Sequence, residues 1–194
     1  DYYDVAWRRE PGGGPILINL IHDVDNLRHM VGEIVAVQGT RSNARRGFAV
    51  EDTAAVILTF ASGAIATVLV SDAVPSPSSW ELTAGEVSSY TFPCTGQDCY
   101  LIGGSLGSLS LPTMRLWRHD GLQSWRSPMS VEPLAIERVD AHARQMNHFG
   151  AVIRGRAQPI ITARDGARTL EVTLALIEAA KRGTSVELPV ERPI

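Results

Sequence analysis

One segment of the chain contains the side chains best suited to proton transfer. His22, Asp25 and His29 fall within residues 16–31, where apolar side chains recur every three or four positions, as in an amphipathic helix. At ~100° per residue, these polar side chains lie on the flank opposite the apolar stripe. That stripe consists of Leu17, Leu20, Ile21, Val24, Leu27 and Val31. Because histidine titrates near neutrality, an exposed histidine on this flank is suited to accept a proton from a hydroxyl group, although a lone helical histidine is more often structural or solvated.

A metal site is the alternative interpretation of the same helix. His22 and His29 are separated by ~10.5 Å along a helix axis, which disfavours one shared ion. Asp25 is instead expected to form an ordinary i,i+4 pair with His29, or to stabilise the domain interior near His22. We therefore expect no bound metal.

The composition is that of an ordinary soluble globular domain. Of the 194 residues, 44% are hydrophobic and 20% are charged, and the formal net charge is −3. This charge gives no electrostatic reason to expect nucleic acid or an anionic membrane as a partner. The basic group of Arg41, Arg45 and Arg46 could meet an acidic substrate or a cofactor, but a solvated loop is favoured.

The cellular compartment is predicted from three features of the sequence. No apolar run approaches the ~20 residues that span a bilayer. Asp1 and Asp4 stand where the basic region of a signal peptide would lie. Cys94 and Cys99 could close a small disulfide loop or form half a metal site, but with no second pair of ligands nearby we expect reduced thiols. These features predict a cytoplasmic protein.

The order of the periodic segments predicts an α+β fold. Residues 1–14 are expected to form an opening strand or loop, Gly32 to end the first helix, and Ser62-Gly63 to join two strands as a tight hairpin. Loops are expected to dominate residues 75–108. The predicted strands are 34–38, 52–60, 64–71, 80–83, 109–117 and 186–190. The predicted later helices are 141–154 and a run with Leu170, Leu174 and Ile177 that ends at Gly183. This pattern indicates one domain over residues 1–194, with an open, mostly antiparallel sheet and helices packed on one face.

The sequence lacks the fingerprint of a dinucleotide-binding half, which is a strand, then Gly-x-Gly-x-x-Gly, then a helix. The glycine-rich stretch 103–107 is followed by Ser, Leu and Pro without a helical pattern, and a loop is the favoured interpretation. We therefore predict that this chain by itself has no means of binding a dinucleotide.

Four segments, in their order and spacing, resemble the C-terminal domain of the Gfo/Idh/MocA oxidoreductase family. They are Trp7-Arg8, the glycine triplet and helix of residues 12–25, Ser62-Gly63-Ala64, and residues 159–188 with Asp165-Gly166. The resemblance implies a two-domain bacterial enzyme that transfers hydride between NAD or NADP and a sugar, cyclitol or related polyol. The cofactor would be bound mainly by an N-terminal Rossmann domain that is absent from this chain.

The resemblance also implies how this half is built and assembled. Its fold would be similar to the C-terminal domains of dihydrodipicolinate reductase and glyceraldehyde-3-phosphate dehydrogenase. Substrate would sit between the two domains, near the nicotinamide. The outer face of the sheet would pack against another subunit, which makes a homo-oligomer.

A set of site residues follows from the same resemblance. They are catalytic His22, substrate-binding Asn19, Tyr3 and Arg8, and cofactor-binding Gly13 and Gly14. Many family members carry an aspartate one helical turn before the histidine, where this chain has Ile18, and the amide of Asn19 cannot act as a base near neutral pH. Two alternatives therefore stay open: a non-catalytic binding or scaffold protein, and a relative that performs redox-assisted elimination or glycoside cleavage. Without a nucleotide-binding domain, this chain alone is expected to be inactive.

Overall fold

The computed structural model describes residues 2–86, 95–137 and 139–189. Two compact units make up the chain: Asp1–Pro75 with Ile160–Ile194, and Ser76–Pro159. The described residues of each unit include one four-stranded antiparallel sheet. The predicted α+β class with antiparallel strands is therefore confirmed, and the strands are divided between two sheets.

The described residues of the two units form helical segments and short strands. In chain order the elements are two 3₁₀ turns (Tyr2–Asp4 and Ala6–Arg9), a π-helical segment (Ile16–Leu20), α1 (Ile21–Val31), β1 (Ile34–Ser42), β2 (Thr53–Phe60), β3 (Ile65–Ser71), α2 (Trp80–Thr83), β4 (Tyr100–Gly104), β5 (Gly107–Leu111), β6 (Arg115–His119), β7 (Met129–Pro133), α3 (Ala141–Ile153), α4 (Ala163–Arg182) and β8 (Val186–Glu187). The opening residues, predicted as a strand or loop, therefore contain two 3₁₀ turns.

The first unit buries one face of a sheet with the strand order β3-β2-β1-β8. Along β2 the side chains alternate, so that Val56 and Leu58 are buried while Ile57 is 42% exposed. Helix α4 packs on β1 and β2, and α1 packs on α4. The predicted hairpin between β2 and β3 is confirmed, and Gly63 takes the left-handed φ of +86° that its tight turn requires.

Helix α4 has a stabilising capping residue at each end. Thr162 and Asp165 form a capping box at its start, and Gly183 ends it with a left-handed φ of +68°. Its buried face differs from the predicted one, because Leu170 and Leu174 are 43% and 50% exposed. The buried face carries Thr169, Val172, Thr173, Leu176, Ala179 and Ala180. Threonine is tolerated there because its hydroxyl finds partners within the unit, as in the bond from Thr173 Oγ1 to the Thr169 carbonyl.

The second unit corrects three sequence predictions. Trp80–Thr83, predicted as a strand, is one helical turn whose start is capped by the Ser79 hydroxyl. The predicted strand 109–117 is two strands, β5 and β6, joined by a turn in which Met114 has φ of +55°. Strand β4 lies in the segment predicted as loop and pairs with β5 through the hairpin at Gly104 and Gly107. The sheet order is β4-β5-β6-β7.

Two further expectations concern the cysteines and the membrane. Thr83 Oγ1 donates a hydrogen bond of 3.5 Å to Cys99 Sγ, and Cys94 lies outside the described residues. Within the described part of the chain, no helix has the length and apolar character needed to cross a bilayer.

Candidate active site

The helix that carries His22 begins with a π-helical segment rather than a regular α-helix. In this segment Ile16 and Leu20 are completely buried, and in α1 the buried apolar side chains are Val24 and Leu27. A π-helix holds more residues per turn than an α-helix, so the ~100° spacing used for the sequence does not apply to residues 16–20. This is why Ile16, outside the predicted apolar stripe, belongs to the core, while Leu17 is only half-buried.

His22 lies in the first turn of α1 and is exposed, between the buried side chains of Leu20 and Val24. Its imidazole is therefore on the side of the helix away from the core, in the orientation predicted from the sequence. Asn19 is exposed on the preceding π-helical turn, and Ile18 beside it is half-buried. The nearest polar side chain before His22 on this helix is thus a neutral amide, which can donate and accept hydrogen bonds.

Asp25 joins α1 to α4, because its carboxylate accepts a hydrogen bond of 2.7 Å from Thr169 Oγ1. This contact corresponds to the interior role that the sequence left open for Asp25. His29, one turn further on, is exposed. In the residues that the structure describes, no group of three His, Cys, Asp or Glu side chains could hold a metal ion.

Arg28 strengthens the same junction and was not singled out from the sequence. Its buried guanidinium donates to Thr169 Oγ1 at 2.8 Å and to the Asp165 carbonyl at 2.9 Å, and it pairs with Glu33 at 2.6 Å. A second buried arginine, Arg168, lies 3.6 Å from the same Glu33 carboxylate. Charge-assisted hydrogen bonds of this kind fix the end of α1 on α4, so the helix that presents His22 is a rigid support.

The last two glycines of the triplet, Gly13 and Gly14, pack tightly within this chain. A Cβ on Gly13 would lie 2.6 Å from Arg8 Cα, and one on Gly14 would lie 2.6 Å from Glu51 Cδ. Both glycines are buried, so the space beside each Cα is occupied by atoms of this chain. Their predicted contact with a cofactor stays a prediction; their packing role is what the described residues display.

Glu51 is the functional candidate that the sequence analysis missed. It is 6% exposed, its Oε1 accepts a hydrogen bond of 3.1 Å from the Ile16 N–H, and its Oε2 lies 3.2 Å from Arg41 Nη1. The sequence favoured a solvated loop for Arg41, yet its side chain is half-buried and forms an ion pair with Glu51. A cavity of about 130 Å³ adjoins the pair and is lined by Arg41, Ser42, Asn43, Ala49, Val50 and Glu51.

Tyr3 lies in a polar cluster at the start of the chain. Its hydroxyl donates to the Asp72 carboxylate, and the Arg46 guanidinium lies 4.1 Å from the centre of its ring. Arg46 also forms an ion pair with Asp72. Burial raises the pKa of the Tyr3 hydroxyl above its usual value, although the nearby Arg46 charge opposes this shift. Tyr3 is therefore a neutral hydrogen-bond donor held in place by its neighbours.

Arg8 is half-buried over an aromatic ring. Its guanidinium carbon lies 3.7 Å from the centre of the Tyr2 ring, and Nη1 donates to the Tyr2 carbonyl at 2.9 Å. Its Nε is buried and has no hydrogen-bond partner in the described part of the chain. Guanidinium groups bind carboxylates and phosphates well, so Arg8 retains donor capacity for an oxygen-bearing ligand.

The described residues do not form a dinucleotide cradle of their own. The glycine-rich stretch 103–107 is the tight hairpin between β4 and β5, with Gly104 paired to Gly107, and no helix begins there. A pyrophosphate cradle needs a strand-to-turn-to-helix arrangement, in which the helix N-terminus meets the phosphates.

The match to a known family identifies the chain as a C-terminal α/β domain of oxidoreductases. It belongs to the Gfo/Idh/MocA family, since the family description "Oxidoreductase family, C-terminal alpha/beta domain" matches residues 1–188. The resemblance seen in the four sequence segments is thereby confirmed.

Relatives with known activities match the chain over nearly its whole length. The 1,5-anhydro-D-fructose reductase of Ensifer adhaerens is 28% identical over 185 residues, which are 93% of this chain and 49% of that protein. The scyllo-inositol 2-dehydrogenase (NAD(+)) of Bacillus subtilis (strain 168) is 27% identical over 187 residues, with the same two shares. The chain spans about half the length of the curated relatives it matches.

A solved structure shares the fold. The aldose-aldose oxidoreductase from Caulobacter crescentus, in complex with glycerol, superposes with a TM-score of 0.66 at 23% identity. The superposition covers 97% of this chain and 52% of that one.

Proposed function

We propose that this chain is the C-terminal domain of an NAD(P)-dependent oxidoreductase that acts on a sugar, cyclitol or related polyol. In this proposal residues 1–194 form a substrate-binding and oligomerisation domain that follows a Rossmann domain. The observation that carries it is the exposed His22 on a helix braced by Asp25, Arg28 and the buried glycines. Family membership and the polyol chemistry in the names of both curated relatives support it.

The proposed chemistry begins with removal of a proton from a substrate hydroxyl. Neutral His22 accepts this proton as the carbon–oxygen bond gains double-bond character, because an alcohol cannot lose hydride without losing its hydroxyl proton. NAD or NADP, held mainly by the Rossmann domain, would supply the hydride acceptor. His22 then releases its proton to solvent, for which an exposed imidazole is suitably placed.

Other residues of this chain would orient the substrate. The exposed amide of Asn19 can donate to one hydroxyl and accept from another, which suits a polyol. Arg8 would bind an oxygen of substrate or cofactor through its unused donor capacity. Tyr3 is already bonded to Asp72, so its contribution would be to shape the pocket wall.

The proposal includes a cytoplasmic homo-oligomer. Ile57 on β2 and Ile65 and Leu69 on β3 are exposed on the sheet of the first unit. Side chains of this kind on a sheet face are typical of a surface that another subunit covers. Sedimentation of the full-length protein should therefore give a dimer or tetramer, and replacing Ile65 with a charged residue should shift it toward monomer.

A non-catalytic binding protein is the second candidate, and Ile18 favours it. An aliphatic side chain one turn before His22 can neither titrate nor hydrogen-bond, so the base would work without a neighbouring carboxylate on its own helix. Calorimetry and turnover assays on the same full-length sample discriminate the two functions. Binding of a polyol without turnover would support the second candidate and contradict the first.

The direct test supplies full-length protein with NAD or NADP and a panel of polyols that includes scyllo-inositol and 1,5-anhydro-D-fructose. We expect at least one member to change the absorbance of the reduced nicotinamide in a protein-dependent way. Failure with every member and both cofactors would contradict the proposed function. Cofactor that is reduced and reoxidised within each turnover, with no net change, would instead indicate elimination or glycoside cleavage.

A further inference from the structure

We propose that Glu51 is a positioning residue that fixes the start of the His22 helix. This inference rests on the proposed function in so far as His22 is the catalytic base. Its structural part, that one buried carboxylate holds the first turn of the helix in place, can be tested without any activity.

The first turn of this helix takes its cap from a residue far along the sequence. The first N–H groups of a helix have no partner within it, and a side chain at the N-cap position usually accepts from one of them. Here the N-cap position is Pro15, which makes no such bond. Glu51 supplies the acceptor instead, with its Oε1 3.1 Å from the Ile16 nitrogen. A negative charge at this end also interacts favourably with the helix dipole.

The environment of Glu51 suits a charged, permanently placed carboxylate. Its side chain is 5% exposed, and a buried carboxylate is stable as an ion only if it is paired and hydrogen-bonded. Arg41 provides the counter-charge at 3.2 Å, and the Ile16 N–H provides the hydrogen bond. Since both oxygens have a partner, the carboxylate is held between the end of β1 and the start of the helix.

Gly14 explains how the carboxylate can approach the helix so closely. A Cβ at this position would lie 2.6 Å from Glu51 Cδ, which is closer than any ordinary contact. The φ of Gly14 is not positive, so the backbone there does not require glycine. The second glycine of the triplet differs, because a Cβ on Gly13 would meet the backbone of Trp7 and Arg8. The missing side chain at Gly14 therefore leaves the space that Glu51 occupies, whereas the missing side chain at Gly13 leaves space for the backbone of Trp7 and Arg8.

Glu51 would affect the reaction by fixing the position of His22. Glu51 lies two residues before the start of β2, so its bond to Ile16 links the start of the helix to the sheet, while Asp25 and Arg28 link its other end to α4. Without Glu51 the first turn loses its acceptor, and only the packing of Ile16 and Leu20 in the core holds the start of the helix. His22 lies between the two points of attachment. A displacement of a catalytic group by ~1 Å can lower turnover by ~10²-fold.

The structural test is a double-mutant cycle measured by thermal unfolding. Gly14→Ala should lower Tm strongly in the natural background and much less in the Glu51→Ala background, where the clashing carboxylate is gone. Gly13→Ala is the matched control and should lower Tm by the same amount in both backgrounds. Equal effects of Gly14→Ala in the two backgrounds would overturn the pairing.

Amide hydrogen exchange on Glu51→Gln gives a second structural measurement should Glu51→Ala not fold. The glutamine retains an oxygen for the Ile16 N–H, so exchange at Ile16 should stay slow. Fast exchange at Ile16 in this folded variant would contradict the proposed cap.

The functional test compares variants of the full-length protein in the polyol assay. Glu51→Ala should lower kcat by ~10–100-fold with a smaller change in KM, because the base moves while the substrate contacts outside this helix remain. Glu51→Gln should recover most of kcat, a rescue that a role of the charge alone would not produce. Glu132→Ala, which removes an exposed carboxylate paired with Arg118, is the control and should leave kcat unchanged.

The outcomes separate this inference from the function on which it rests. A folded Glu51→Ala variant with the kcat of the natural protein would overturn the positioning role while leaving the oxidoreductase intact. If the protein turns over no polyol but Gly14 and Glu51 are still coupled in the double-mutant cycle, the proposed function is contradicted and the proposed cap is supported.

Discussion

Thr169 Oγ1 donates a hydrogen bond of 2.7 Å to the Asp25 carboxylate and so ties the His22 helix to α4. The same hydroxyl accepts a hydrogen bond of 2.8 Å from Arg28 Nη1. One buried hydroxyl thus forms hydrogen bonds with both an acidic and a basic side chain of α1. This relationship explains why a threonine occupies a core position where an aliphatic residue would ordinarily stand.

Replacing Thr169 with valine should therefore destabilise the domain despite its nearly identical shape. The substitution leaves Asp25 and Arg28 each without one partner in a buried site, which costs about 1–3 kcal/mol in the free energy of unfolding. Urea denaturation measures it. Thr184→Val, at an exposed position, is the control and should change stability little. Equal stabilities of the two variants would contradict the proposed importance of the Thr169 hydroxyl.

Two leucines on α4 offer a matched test of the core. Leu176 is completely buried, while Leu174 is 50% exposed. Leu176→Ala should lower the free energy of unfolding by about 2–5 kcal/mol, because it removes apolar contacts and leaves a cavity. Leu174→Ala should cost far less. The reverse order would show that α4 packs on the face predicted from the sequence.

The start of α4 should contribute a measurable acid sensitivity. The hydroxyl of Thr162, and then its backbone N–H, hydrogen-bond to Asp165 and hold the pKa of that carboxyl below its usual value. A lowered pKa means that this stabilisation is present above the unfolded-state value of ~4 and is lost as pH falls through the folded-state value. Asp165→Asn cannot titrate, so its stability should fall less steeply with acid. Identical acid profiles for variant and natural protein would contradict this.

Tyr3 should be recognisable at the alkaline end of a spectroscopic titration. Because burial raises its pKa, its hydroxyl should ionise above the ordinary tyrosine value of ~10. The stabilisation from its bond to Asp72 is then present below that value and is lost as pH rises through the raised pKa. Tyr3→Phe should remove this ionisation step. A Tyr3→Phe titration curve that keeps this step would assign the raised pKa to another tyrosine.

Local patterns were enough to find the elements that carry the site. The apolar repeat of α1, the hairpin glycine Gly63 and the terminal glycine Gly183 all act within one or two turns of chain, so each was predicted correctly. The outward direction of His22 followed from the same repeat.

What the sequence did not reveal depends on contacts between distant residues. Glu51 caps Ile16 from 35 positions away, and no local pattern predicts a cap supplied by a residue so distant in the sequence. The buried face of α4 was misjudged because threonine is apolar enough for a core only when its hydroxyl has partners, as Thr169 and Thr173 do. The π-helical segment escaped prediction for a related reason, since tertiary packing of Ile16 and Leu20 sets its geometry.

The central claim, that His22 is the base of a polyol oxidoreductase, is tested most directly by one comparison. His22→Ala and His29→Ala are prepared in the full-length protein, and kcat is measured with NAD or NADP and the best polyol of the panel. Both histidines are exposed on α1, so His29→Ala controls for the loss of an exposed imidazole from this helix. We predict that His22→Ala lowers kcat by ~10²–10⁴-fold while His29→Ala does not change it. Equal kcat values for the two variants would contradict the account.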